Sequence, residues 1–102
     1  MTDNEETQPA SRQVDHQKEL PRLHRIMGQM DGIKKMIEAC RYTPDILTQL
    51  RAIRSATLAL EANLLETHLR ACVLDAFQST SLTEKTEQIS EIKEFYRRYD
   101  NA

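Results

Sequence analysis

Residues 45–77 read DILTQLRAIRSATLALEANLLETHLRACVLDAF, a run without a Gly or a Pro. Within it Ile46, Leu50, Ile53, Thr57, Leu60, Leu64 and His68 recur at steps of three and four. Leu47, Leu58, Leu65 and Leu69 add a flank. Such steps line one face of an α-helix. A helix of roughly 30 residues is about 45 Å long. That exceeds the diameter of a small domain, so part of it is expected to pack against another subunit.

Working outward, residues 17–41 carry a second stripe: Leu20, Leu23, Ile26, Met27, Met30, Ile33, Met36 and Ile37. Pro21 suits a first helical turn. Gly28 and Gly32 each cost about 1 kcal/mol of helix propensity against Ala. They are read as permitting a close helix–helix crossing. The sequence Tyr42-Thr43-Pro44-Asp45 interrupts the stripe, with Thr43 expected to cap the next helix and Pro44 to open it. Residues 78–81 (QSTS) form the second break. Ser81 or Thr83 is expected to cap a third helix carrying Ile89, Ile92, Phe95, Tyr96 and Tyr99, with Glu84 and Glu87 in or near its first turns. The expected fold is all-α. Its protomer has three helices: a long antiparallel hairpin and a shorter C-terminal helix. Residues 1–15 are acidic and aperiodic, the signature of a disordered tail. Residues 16–102 form a single helical domain.

The totals agree. The 102 residues include 2 Gly, 3 Pro and no Trp. That is too little punctuation for many short strands. No apolar run approaches the ~18 residues of a membrane span. The N-terminus has neither a basic nor an apolar signal region, so the expected location is cytoplasmic. There the 2 Cys are read as ligands, redox groups or core residues rather than a permanent disulfide.

The net charge of −2 hides an uneven distribution. Residues 1–11 carry three acids and no base, and residues 55–102 five bases against eight acids. Residues 12–54 carry nine bases against five acids. A locally basic surface suits a polyanion. Arg22 and Arg25 share a helix face, as do Arg51 and Arg54. These four are the candidate phosphate contacts, although charge alone fits an ordinary solvated surface. No helix-turn-helix signature is present. DNA binding would therefore use a helical face of an oligomer.

His68 and Cys72 lie four apart on the long helix, with Cβ atoms about 5–6 Å apart. An imidazole and a thiolate so placed can grip one metal ion, and soft thiolate favours Cu(I) or Zn(II). A buried Cys and His on a core stripe is the simpler account of the pair alone. Two ligands do not complete a site, and Cys40 is the only other thiol. In an antiparallel hairpin Cys40 lies near the start of the long helix, about 40 Å of helix from Cys72. It can join the pair only from a second subunit, with the long helices packed antiparallel. An ion bridging protomers would bias quaternary structure, and with it any DNA-binding surface.

The stretch Leu20 to Val73 resembles a known family. It contains R-x-x-G-Q at residues 25–29, D-I-L-T-Q-L at 45–50 and L-L-E-x-H-L-x-x-C at 64–72. Jointly these resemble the CsoR/RcnR/FrmR family of metal- or thiol-sensing transcriptional repressors, closest to the CsoR branch. The resemblance implies an all-helical protomer, a homodimer or homotetramer built as a dimer of dimers, and operator DNA released by an inducer. It implies an inter-subunit Cys, His, Cys site in which His68 is the histidine and Cys72 the second cysteine. The family's first cysteine falls at Thr43 here. Cys40 serves in its place if the end of helix one extends or turns. The resemblance further implies Tyr42 and one acid among Glu84, Glu87 and Glu91 as supporting partners of the site. It implies Arg22 and Arg54 as DNA contacts. The expected function is a repressor derepressed by Cu(I), with Zn(II) as the second ion. One alternative is a sensor of reactive sulfur or oxidants through Cys40 and Cys72. Another, of a different class, is a helical scaffold for a protein partner. No orienting third residue or oxyanion device suggests an enzyme.

Overall fold

A computed structural model of the chain describes residues 14–79 and 81–100, without the Asp100 side chain. The expected acidic tail lies outside the described residues except for Val14 and Asp15. A short 3-10 turn, Gln17–Glu19, leads into α1 (Leu20–Glu38), followed by α2 (Thr43–Gln78) and α3 (Leu82–Asp100). The described residues include no strand. The protomer is all-α with three helices, as the periodicity indicates. The chain forms two compact units, His16–Leu65 and a second containing Glu66–Ala102, and α2 runs through both.

In the first unit α1 and the first part of α2 form a hairpin. Its core is Ile26, Ile33 and Ile53, only 8%, 6% and 6% exposed, with Ile46, Ala56 and Leu60 packed against them. Asn63 Nδ2 donates to Glu19 Oε1 at 3.0 Å. The start of α1 therefore meets a late part of this α2 segment, which makes the hairpin antiparallel.

α1 is shorter than the 17–41 stripe suggests, and its termination is well defined. The Arg41 amide donates to the Met36 carbonyl at 3.0 Å and the Cys40 amide to the Ile37 carbonyl at 3.1 Å. These are the paired 6→1 and 5→2 bonds of a Schellman ending. The motif requires a left-handed residue, usually Gly, and here that residue is Cys40 with φ 55°.

α2 begins at Thr43, not beyond a Thr43 cap. The Tyr42 carbonyl accepts from the Asp45 amide at 3.0 Å and from the Ile46 amide at 3.4 Å. Pro44 thus sits one residue deeper than expected. It is tolerated there because first-turn amides have no intrahelical partner. Among the described residues the close crossing expected at Gly28 and Gly32 does not occur: a Cβ at either would meet nothing within 4 Å. The hairpin instead packs on the Ile26 and Ile33 face, which the glycines do not share.

In the second unit Ser81 caps α3, accepting from the Glu84 amide at 3.3 Å. The end of α2 and α3 flank a groove of about 270 Å³ lined by Val73, Ala76, Phe77, Lys85, Ile89 and Ile92. Cys72 and Asp75 are buried, at 8% and 7% exposure.

The left-handed Cys40 yields a stability prediction. An L-residue there costs roughly 1–2 kcal/mol, and glycine's extra freedom when unfolded returns roughly 0.5–1 kcal/mol of that gain. Cys40→Gly should therefore stabilise the reduced protein by about 0.5–1 kcal/mol in urea unfolding, whereas Cys40→Ala should be neutral.

Candidate functional site

Helix α2 carries His68 and Cys72 one turn apart, and His68 faces α3. Cys72 is buried and His68 half-buried. The His68 ring stacks on Phe95 of α3, with centroids 4.5 Å apart and planes at 24°. Phe95 in turn meets Tyr99 at 4.7 Å and 43°. A histidine held by its face keeps its ring edge, and hence its nitrogen lone pairs, available for a ligand.

Cys40, in the other unit, is exposed, and neither cysteine forms a disulfide. Its position follows from the Schellman turn, not from a continuing helix. The helix ends before Cys40, so no continuing helical turn sets Cys40 beside Thr43. Tyr42 is 71% exposed and contributes its carbonyl to the start of α2. Of the three candidate acids, Glu84 accepts from the Ser79 hydroxyl at 2.9 Å. Glu87 and Glu91 are exposed on α3. The half-buried face of α3 carries Gln88, Ile92 and Phe95 instead. The Gln88 Oε1 atom is buried without a hydrogen-bond partner. Sequence reasoning treated Phe95 and Tyr99 only as apolar positions. Their spacing of four, on a helix following a histidine-bearing one, was the available signal. Farther from the site, a hydrogen bond from Arg97 holds the Glu94 carboxyl below its ordinary pKa.

Among the described residues no three His, Cys, Asp or Glu side chains are gathered so as to hold a metal ion. One chain therefore presents an imidazole and a thiol, a donor pair suited to a soft or borderline ion but incomplete. The fit is that of half a site.

The four candidate arginines all lie in the hairpin unit. Arg22 is half-buried and sits 3.6 Å from Glu19, the carboxylate that also holds Asn63. Its charge is partly engaged in bracing the hairpin. Arg25, Arg51 and Arg54 are exposed, and no ion pair engages them among the described residues. No helix among the described residues is long and apolar enough to cross a membrane.

An all-helical chain with a thiol–imidazole pair on one helix and exposed arginines on a hairpin has the outline of a ligand-responsive regulator. The chain belongs to the family of metal-sensitive transcriptional repressors, whose sequence profile matches residues 15–98. It is 38% identical over 81 residues to the copper-sensing transcriptional repressor CsoR of Bacillus subtilis (strain 168), covering 79% of this chain and 77% of that protein. It is 47% identical over 55 residues to the copper-sensing transcriptional repressor RicR of Mycobacterium tuberculosis (strain ATCC 25618 / H37Rv), covering 54% of this chain and 57% of that protein. Another relative, 30% identical over 74 residues, is the copper-sensing transcriptional repressor CsoR of Mycobacterium bovis (strain BCG / Pasteur 1173P2), covering 69% of this chain and 62% of that protein. No solved structure matches the chain. The family is one of repressors, and this protein is not an enzyme.

The contrast between the two thiols is directly measurable. Brief alkylation of the reduced native protein should label Cys40 well before Cys72, and unfolding should abolish the difference. Peptide mass mapping of the label checks this.

Proposed function

We propose that this protein binds operator DNA as a homo-oligomer and releases it when Cu(I) binds between protomers. The ligands are His68 and Cys72 of one copy and Cys40 of another. The observation that carries the reading is the incomplete donor set: a thiol and an imidazole stand together on α2 while the remaining thiol stands alone on a turn. Cu(I) is favoured over Zn(II) because two thiolates and one imidazole form a soft, low-coordinate set. The names of the relatives support the same ion.

Assembly is supported by apolar surface left over after the hairpin forms. Leu23, Met27, Met30 and Ile37 on α1 are 38%, 59%, 53% and 60% exposed. They form a stripe beside the buried Ile26 and Ile33. A contiguous stripe of this kind marks a protein interface, and a second copy of the hairpin is its natural cover. Arg25, Arg51 and Arg54, with Arg22 beside them, would meet phosphate, and binding would be strongly salt-dependent. An ion joining two copies acts on DNA affinity only through its preference for one quaternary arrangement. Tyr42 and one acid of α3 would support the ligands once copies assemble. The protein would act in the cytoplasm.

The deciding experiment is an anaerobic Cu(I) titration of reduced protein against a strong chelator, with operator anisotropy followed in parallel. One tight Cu(I) per protomer with loss of DNA supports the reading. Weak Cu(I) binding with DNA retained sinks it and directs attention to reactive sulfur at Cys40 and Cys72.

Two substitutions separate the functions. Cys72→Ala should leave DNA affinity intact and abolish the Cu(I) response in the same anisotropy assay. Arg54→Ala should weaken DNA binding across sequences and lower the salt slope by about one per phosphate no longer engaged, while Cu(I) affinity is unchanged.

A further inference from the structure

We infer that Phe95 of α3 is the positioning residue of the inducer site, holding the His68 ring in the orientation that presents its nitrogen to the inducer. The inference rests on the reading of His68 as an inducer ligand.

The side chain of His68 turns about a terminal sp³–sp² torsion, which is intrinsically broad. The flat Phe95 ring, 4.5 Å away at 24°, narrows that torsion by occupying one face of the imidazole. Rotation out of the stack would sacrifice an aromatic interaction worth about three- to tenfold in an equilibrium. Phe95 is itself braced by Tyr99 one turn later on α3. The stack takes up ring faces and leaves ring edges, so it orients the imidazole without competing for its lone pairs. None of the three glutamates expected to support the site fills this place: Glu84 is engaged by Ser79, and Glu87 and Glu91 are exposed. The place against the face of the His68 ring is taken by an aromatic ring.

The test compares Phe95→Leu, which keeps apolar bulk but has no flat face, with Phe95→Tyr, which keeps the face. Two readouts are needed. The first is the NMR position of the His68 ring protons in inducer-free protein, assigned by their loss in His68→Gln. The second is Cu(I) affinity by chelator competition. In Phe95→Leu the ring protons should lose their upfield ring-current shift and Cu(I) affinity should fall about three- to tenfold. Phe95→Tyr should restore both. If Phe95→Leu moves the ring protons yet leaves Cu(I) affinity unchanged while His68→Gln lowers it, Phe95 merely packs and the inference is overturned. If His68→Gln itself leaves Cu(I) affinity unchanged, His68 is no ligand, and the proposed site and this inference fall together. A loss of helicity or melting temperature in Phe95→Leu is controlled by the Tyr variant, which retains the packing. If Phe95→Tyr keeps the fold and the shifted ring protons but not the affinity, the stack does not set the ligand and the inference is wrong.

Discussion

The constraint on which the rest depends is the continuity of α2. A single helix from Thr43 to Gln78 carries Ile53 into the hairpin core, His68 to the face of α3, and Cys72 one turn beyond His68. No Gly or Pro interrupts it after Pro44, so every register is fixed by the 3.6-residue turn. The spacing of His68 and Cys72 is therefore a property of the helix and needs no loop to maintain it. Ligands held on a regular element lose little freedom on binding, which is the basis of a preorganised site.

The same helix explains why one chain looks unfinished. Its hairpin core consists of three isoleucines that remain slightly exposed, and among the described residues no side chain is fully enclosed. Thr57 and Thr48 return their hydroxyls to carbonyls one turn back, at 2.8 and 2.9 Å, and so add nothing to packing between helices. The surface ion pairs Lys35–Asp31 and Arg70–Glu66 join residues of the same helix, and exposed pairs of this kind contribute at most about 1 kcal/mol each. Apolar burial must supply the stability, and most of the available apolar stripe on α1 is still open. A second copy of the chain would thus complete both the core and the ligand set.

Much of this was legible in the sequence because helical periodicity is a local signal. The stripes at Leu20–Ile37 and Ile46–His68 identify α1 and α2, and Ser81 or Thr83 marks the start of α3, the structure using Ser81. The pairing of His68 with Cys72 follows from helix geometry alone. What escaped was information carried by backbone conformation and by packing between helices. The ending of α1 depends on a left-handed Cys40, which no propensity assigns to a cysteine. Gly28 and Gly32 suggested a crossing that the described residues do not make, because a glycine reports only that close approach is permitted. The stack of His68 on Phe95 joins residues far apart in sequence. Periodicity places each ring on an apolar face but cannot say which ring it will meet.

The place of Cys40 ties the backbone to the proposed chemistry. Thr43, at the position the family resemblance assigns to a cysteine, is the first residue of α2 and would carry a ligand on a rigid helix. Cys40 instead occupies the left-handed position of the turn, held by amide bonds on both sides of the α1 ending. Strain at such a residue persists only where the surrounding structure over-determines it. Here the two Schellman bonds do so, and they hold the backbone of Cys40 in the turn. Glycine would relieve the strain, but glycine brings no sulfur. A residue that is unfavourable for the turn yet supplies a soft donor is what the proposed inter-subunit site would require at this turn, and the local backbone cost would then be the cost of that donor.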